Sequence, residues 1–122
     1  MNDDKARIEH MVEHIKRIQT QLQNVTEEQF YNSLVLVDAV SFNFAILGEA
    51  ANMVSDELHG RYSTIPWRNI IGMRNFLIHG YMKLQPRYLW ETAQNDLLPL
   101  LRQLEEILKS FETDIEDKNA TT

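Results

Sequence analysis

The segment Leu34–Val54, LVLVDAVSFNFAILGEAANMV, decides how the chain folds. Leu34, Val37, Val40, Phe44, Leu47, Ala51 and Val54 recur at three- and four-residue steps, and Leu58 continues the seam up to Gly60. That is the period of a helix face turned toward a core. Upstream, Thr26 and Gln29 have the spacing of a capping box, in which each side chain satisfies a free backbone N–H of the first turn. The pattern predicts one long helix from Thr26 to Gly60, with Gly48 as the place for a bend. On a neighbouring face Asp38, Ser41, Ala45, Gly48, Asn52 and Ser55 form a stripe of mostly small residues, over which another helix can approach closely. A second packing surface is expected there.

The rest of the chain supplies partners for that seam. Ile8, Met11, Val12, Ile15, Ile18 and Leu22 give an amphipathic helix from Asp3 or Asp4 to about Asn24. Pro66 suits a helix first turn, and Gly80 is placed to end that helix in a left-handed cap. After the loop YMKLQ, Pro86 opens a last helix whose Trp90, Ala93, Leu97, Leu101, Leu104, Leu108 and Phe111 share a face, with a kink at Pro99. From Glu112 to Thr122 the sequence is polar, acidic and without period, and is expected to fray. Residues 1–111 are therefore expected to form one all-α domain, an up-and-down four-helix bundle with room for a short extra helix.

Composition narrows the chemistry. The 122 residues contain no cysteine, so neither a disulfide nor a thiolate metal site can form. The amino terminus lacks the apolar core of a signal peptide and no apolar run is read as membrane-spanning, so a cytoplasmic protein without membrane contact is expected. A net charge of −6 disfavours nucleic acid as a partner when taken globally. Its distribution points the other way. Between His59 and Trp90 there is no Asp or Glu, whereas Arg61, Arg68, Arg74, Lys83 and Arg87 all fall there. An acidic body with one basic window is a candidate anion-binding surface, with Arg61, Arg68, Lys83 and Arg87 as phosphate contacts.

Two motifs invite a catalytic reading. His10-Met11-Val12-Glu13-His14 matches the H-x-x-E-H form of inverted zinc peptidases. Both histidines are expected to face solvent opposite Ile8 and Ile15, with no third ligand downstream, so no metal site is read there. In the helix that Pro66 opens, Arg74 interrupts the apolar stripe of Trp67, Ile70, Ile71, Leu77 and Ile78. An unpaired guanidinium in such a stripe costs several kcal/mol. Arg74 must then pair with Asp38 or Glu49 inside the bundle, or open into a cleft that holds an anion. His79 ends the same helix, where the dipole favours positive charge, and Asn75 lies one turn before it, placed to orient the ring.

The octet Arg74-Asn75-Phe76-Leu77-Ile78-His79-Gly80-Tyr81 has the form R-x4-H-x-Y. Together with Ile65-Pro66-Trp67-Arg68, Ile71-Gly72-Met73, Gly48-Glu49-Ala50-Ala51 and Trp90 it resembles the HepT family of HEPN-domain toxins, over about Ile8 to Leu108. One departure is visible: Phe42 stands before Asn43, where relatives tend to carry a basic residue. The resemblance implies a metal-independent ribonuclease without cofactor, acting as a homodimer whose two motifs line one cleft. It further implies an MNT-type nucleotidyltransferase antitoxin that adenylylates Tyr81. Arg74, His79 and Asn75 would then be catalytic, Arg74 holding a phosphoryl group and His79 moving a proton from a ribose 2′-OH. A helical module that binds RNA or nucleotide without chemistry is the competing reading.

Overall fold

The computed structural model describes residues 3–120, with side chains described to residue 113. Among the described residues it is all-α: seven α-helices and a single 3₁₀ turn. Helices α1 (Asp4–Leu22), α2 (Glu27–Tyr31), α3 (Leu34–Met53) and α4 (Asp56–Arg61) precede α5 (Trp67–His79). The 3₁₀ turn Tyr81–Lys83 then leads into α6 (Pro86–Asn95) and α7 (Leu97–Ala120).

The predicted long helix is three helices, and the bend expected near Gly48 falls elsewhere. Thr26 and Gln29 do form the capping box, with bonds of 3.1 and 2.9 Å, but the helix they open ends at Tyr31. Ser33 then caps α3 by accepting from the Leu36 N–H. The second break is fixed from a distance. Asp4, itself buried, accepts from the Ser55 N–H at 2.9 Å and from the Ser55 hydroxyl at 2.6 Å, while the Ser55 oxygen accepts from the Leu58 N–H. That triad turns the chain between α3 and α4 and ties the start of α1 to the same corner. The last helix is likewise two. Pro99 has no N–H to donate to the Asn95 carbonyl and its ring crowds that oxygen, so the chain turns at Asp96 rather than kinking at the proline.

Helix α3 is the common partner, packing against α1, α2, α5 and α6, while α7 lies on α1. The core joins Ile8, Met11, Ile15 and Ile18 of α1 to Val40, Phe44, Leu47 and Ala51 of α3, and Leu101, Leu104 and Ile107 of α7. A helix with four neighbours keeps little polar surface. Contrary to the expectation of no such run, α3 is long and apolar enough to cross a membrane by length and composition, with Leu34, Val35, Phe42 and Met53 exposed on it. Two of the four expected helices, the second and the fourth, are divided into shorter ones while α1 and α5 stay single, so the described residues are all-α with more elements than a simple up-and-down four-helix bundle. Through the segment expected to fray, the backbone of α7 is helical to Ala120, and Thr121 and Thr122 of that tail lie outside the described residues.

The small-residue stripe on α3 serves the chain itself. A Cβ on Gly48 would collide with the Cβ of Arg74 and lie 2.8 Å from the Ile70 carbonyl oxygen, so glycine is what lets α5 seat on α3. Gly80 ends α5 as predicted, yet at φ −114° rather than in a left-handed cap. What requires glycine there is the Phe76 ring, 2.9 Å from where a Cβ would stand. Gly48→Ala should therefore destabilise the fold by about 1–3 kcal/mol, through overpacking of two backbones. Gly60→Ala, on an open surface of α4, should instead add roughly 0.5–1 kcal/mol. Urea unfolding of the two variants measures both, and equal midpoints would contradict this account of the α3–α5 contact.

Candidate active site

Helix α5 is held at its start by stacked aromatics. The Trp67 indole donates to the Tyr62 carbonyl at 3.1 Å and packs on the His59 ring at 4.6 Å, while His59 Nε2 lies 2.9 Å from the Ala51 carbonyl. His59 is thus a tie between α4 and the end of α3 rather than part of an anion site. With α5 fixed there and seated on Gly48, Arg74 arrives beside Glu49.

The pairing left open by the sequence is with Glu49. Arg74 Nε stands 2.8 Å from Glu49 Oε2, close enough for an ion pair although the N–H is not aligned as a hydrogen bond. Nη1 donates to Asn75 Oδ1 at 2.7 Å. Asp38, the other candidate, is exposed on α3. The pair is partly buried, with Arg74 at 28% and Glu49 at 42% side-chain exposure and Arg74 Nε itself shielded from water, so its own contribution to stability is on the order of 1 kcal/mol. A competing anion therefore has little to displace.

Asn75 Oδ1 accepts from Arg74, and its amide NH2 has no hydrogen-bond partner among the described residues. At about 100° per residue Arg68, Gly72, Asn75 and His79 fall on one outward stripe of α5, whereas Arg74 points about 140° away from His79. All four stripe residues are exposed. The guanidinium reaches that stripe through its bond to Asn75. Just past the helix end, Tyr81 is 64% exposed and Met82 85%. Around the Arg74–Glu49 pair stand further exposed apolar side chains: Phe42 and Met53, seven before and four after Glu49 on α3, and Ile78, four after Arg74 on α5.

The four expected phosphate contacts do not converge on Arg74. Arg61 pairs with Glu57 at 3.2 Å. Arg87 donates to Glu91 at 2.9 Å, and this hydrogen bond, with the carboxylate's charge, pushes its guanidinium up from the ordinary value. Arg68 and Lys83 have no acid partner among the described residues, and both line a groove of about 820 Å³ on the other flank of α5, floored by Phe44, Leu47 and Met73. The expectation that His10 and His14 both face solvent fails for His14, which is buried with Nδ1 2.8 Å from Asn43 Oδ1. Its direction is about 40° from that of Ile18, at the edge of the apolar stripe and not opposite it. Asn43 in turn donates to Gln21 and to the Ala39 carbonyl, so this is a satisfied polar tie between α1 and α3. Among the described residues no group of three or more His, Asp or Glu side chains is gathered to hold a metal ion.

The profile of the HepT-like ribonucleases matches residues 9–107, which span both helices of the Arg74–Glu49 pair and the whole of α6. The chain belongs to the HepT-like ribonuclease family. Among its relatives, TTE0752 of Caldanaerobacter subterraneus subsp. tengcongensis carries a provisional RNase name and is 30% identical over 109 residues, 89% of this chain and 97% of that protein. A protein of Thermococcus cleftensis provisionally named ribonuclease HepT is 30% identical over 105 residues, 86% of this chain and 96% of its own. MJ0434 of Methanocaldococcus jannaschii, named as a gamma-glutamylcyclotransferase and provisional RNase, is 35% identical over 117 residues, 96% of this chain but 51% of that longer protein. No solved structure matches significantly.

Proposed function

We propose that this protein is the ribonuclease toxin of a toxin–antitoxin pair, cleaving RNA without a metal ion as a cytoplasmic homodimer. The observation that carries the reading is the Arg74 guanidinium, held only by a surface carboxylate and by Asn75 on a helix that ends in an exposed His79. A phosphodiester can take the place of Glu49 on the guanidinium, since charge-assisted bonds to phosphate are the stronger kind, Glu49 is itself partly exposed and the existing pair is not aligned as a hydrogen bond. His79 takes the proton of the ribose 2′-OH. The 2′-oxygen then bonds to the adjacent phosphorus as the bond to the 5′-oxygen breaks, and that oxygen leaves with a proton. The ends are a 2′,3′-cyclic phosphate and a 5′-hydroxyl. Arg74 balances the charge that builds on the phosphoryl oxygens.

A second copy of the chain supplies what one protomer lacks. Arg74 and His79 leave α5 about 140° apart, and the guanidinium comes back toward the His79 stripe only as far as Asn75, one turn before the imidazole. The exposed Phe42, Met53 and Ile78 around the ion pair suit burial against the same surface of a symmetry-related copy, which brings two motifs to one cleft. In this reading Phe42 is an interface residue where relatives tend to carry a cation. Tyr81, exposed beyond the Gly80 cap, is the position at which a nucleotidyltransferase antitoxin attaches AMP, and the added phosphodiester then competes for Arg74.

His79→Ala should lower cleavage about 10²–10⁴-fold with RNA binding largely kept, and wild-type cleavage should survive excess EDTA. Parallel loss of binding and cleavage would instead favour a binding module. In sedimentation the wild type should be a dimer at micromolar concentration and Phe42→Glu a less active monomer; a fully active wild-type monomer contradicts the two-copy site. After co-expression with a cognate nucleotidyltransferase, intact mass should rise by whole AMP units on the wild type. Tyr81→Phe should show none and remain toxic, and a modified Phe variant would move the control site elsewhere.

A further inference from the structure

The groove on the other flank of α5 is not used by the cleavage chemistry, yet it collects the charge that the motif does not. Every other arginine or lysine of the basic window has a carboxylate within an ion-pair distance: Arg61 has Glu57, Arg74 has Glu49 and Arg87 has Glu91. Arg68 and Lys83 have none among the described residues, and both line this one groove, where Asp96 is the acid present. Its wall carries an aromatic pair, Phe76 and Tyr88, with ring centres 6.4 Å apart and planes at 76°, and Tyr88 is 49% exposed. Gln85 beside them offers an amide donor and acceptor. The groove thus combines an open aromatic face, an apolar floor and two cations free to meet phosphate.

Building on the ribonuclease reading above, we propose that this groove binds an unpaired nucleotide of the RNA strand outside the bond that is cut, its base against Tyr88 and Phe76 and its phosphates on Arg68 and Lys83. An apolar peptide would fill the floor and leave the two cations unmatched. A nucleotide within a strand uses both, because every base has a face to stack and every link carries a charge. The path is continuous. Arg68, on the groove's rim, begins the outward stripe that runs through Gly72 and Asn75 to His79, about 16 Å along the helix axis. Nothing stands within 4 Å of where a Gly72 Cβ would be, so the surface between groove and imidazole is open to a strand.

The test uses His79→Ala, which binds without cutting, and a fluorescent single-stranded RNA decamer read by anisotropy. Adding Tyr88→Ala should weaken binding about tenfold. Arg68→Gln with Lys83→Gln should weaken it as well and lower the log–log salt slope by about 1.4, roughly 0.7 for each phosphate contact on a single strand. Tyr88 is half exposed, and unchanged thermal unfolding of its variant checks that the fold is intact. Decamer affinity unaltered by both sets of changes, in a protein whose wild type cleaves RNA, overturns the groove assignment and leaves the ribonuclease reading standing. A wild type that neither binds nor cleaves RNA removes both. AMP binding as tight as the decamer and equally dependent on Tyr88 would make this a free-nucleotide site and overturn the strand assignment.

Discussion

The close approach of α5 to α3 at Gly48 is the constraint on which the candidate active site depends. Without a side chain at that position, the Arg74 Cβ can rest on α3 and its guanidinium can reach Glu49. Asn75 then draws the other end of the same group outward. A cation that would be costly unpaired inside an apolar stripe is paired with Glu49 through a buried Nε, while its Nη1 meets the exposed Asn75. The arrangement favours exchange over stability: a fully buried pair would resist substitution by phosphate, and a fully exposed arginine would lose its fixed direction.

The polar ties elsewhere keep that contact in register. Asp4 holds the corner between α3 and α4, His59 and Trp67 hold α4 against the start of α5, and His14 with Asn43 holds α1 on α3. The first and the last join residues 51 and 29 positions apart, and the polar groups they use find partners instead of being buried unpaired. Histidine is therefore used in two ways. His14 and His59 are structural, and His79 alone among the three is exposed at a helix end beside exposed polar neighbours.

Local signals were legible where the partner is also local. The Thr26–Gln29 capping box, the start of α5 after Pro66, its end at Gly80 and the apolar stripe of α1 all depend on residues within a few positions of one another. The break at Val54–Ser55 was not, because the apolar seam runs through it unbroken and the group that turns the chain, Asp4, lies 51 residues away. His14 was misplaced for a related reason: its burial depends on Asn43, 29 residues on, and a residue at the edge of a stripe is decided by its partner. For the site, the irregularity of Arg74 within an apolar face was visible and Glu49 was one of two named partners. That Asn75 would accept from Arg74, and that Arg68 and Lys83 would line one groove, depends on side-chain directions that spacing alone does not set.

The central claim is that Arg74 serves a phosphate more than it serves the fold. The direct measurement is RNA cleavage by Arg74→Ala, made together with its thermal unfolding. The account predicts a cooperative unfolding transition within several degrees of the wild type, since the lost pair contributes on the order of 1 kcal/mol, and cleavage at background. A variant that no longer folds would make Arg74–Glu49 a structural pair, and a folded variant that still cleaves at the wild-type rate would remove Arg74 from the chemistry.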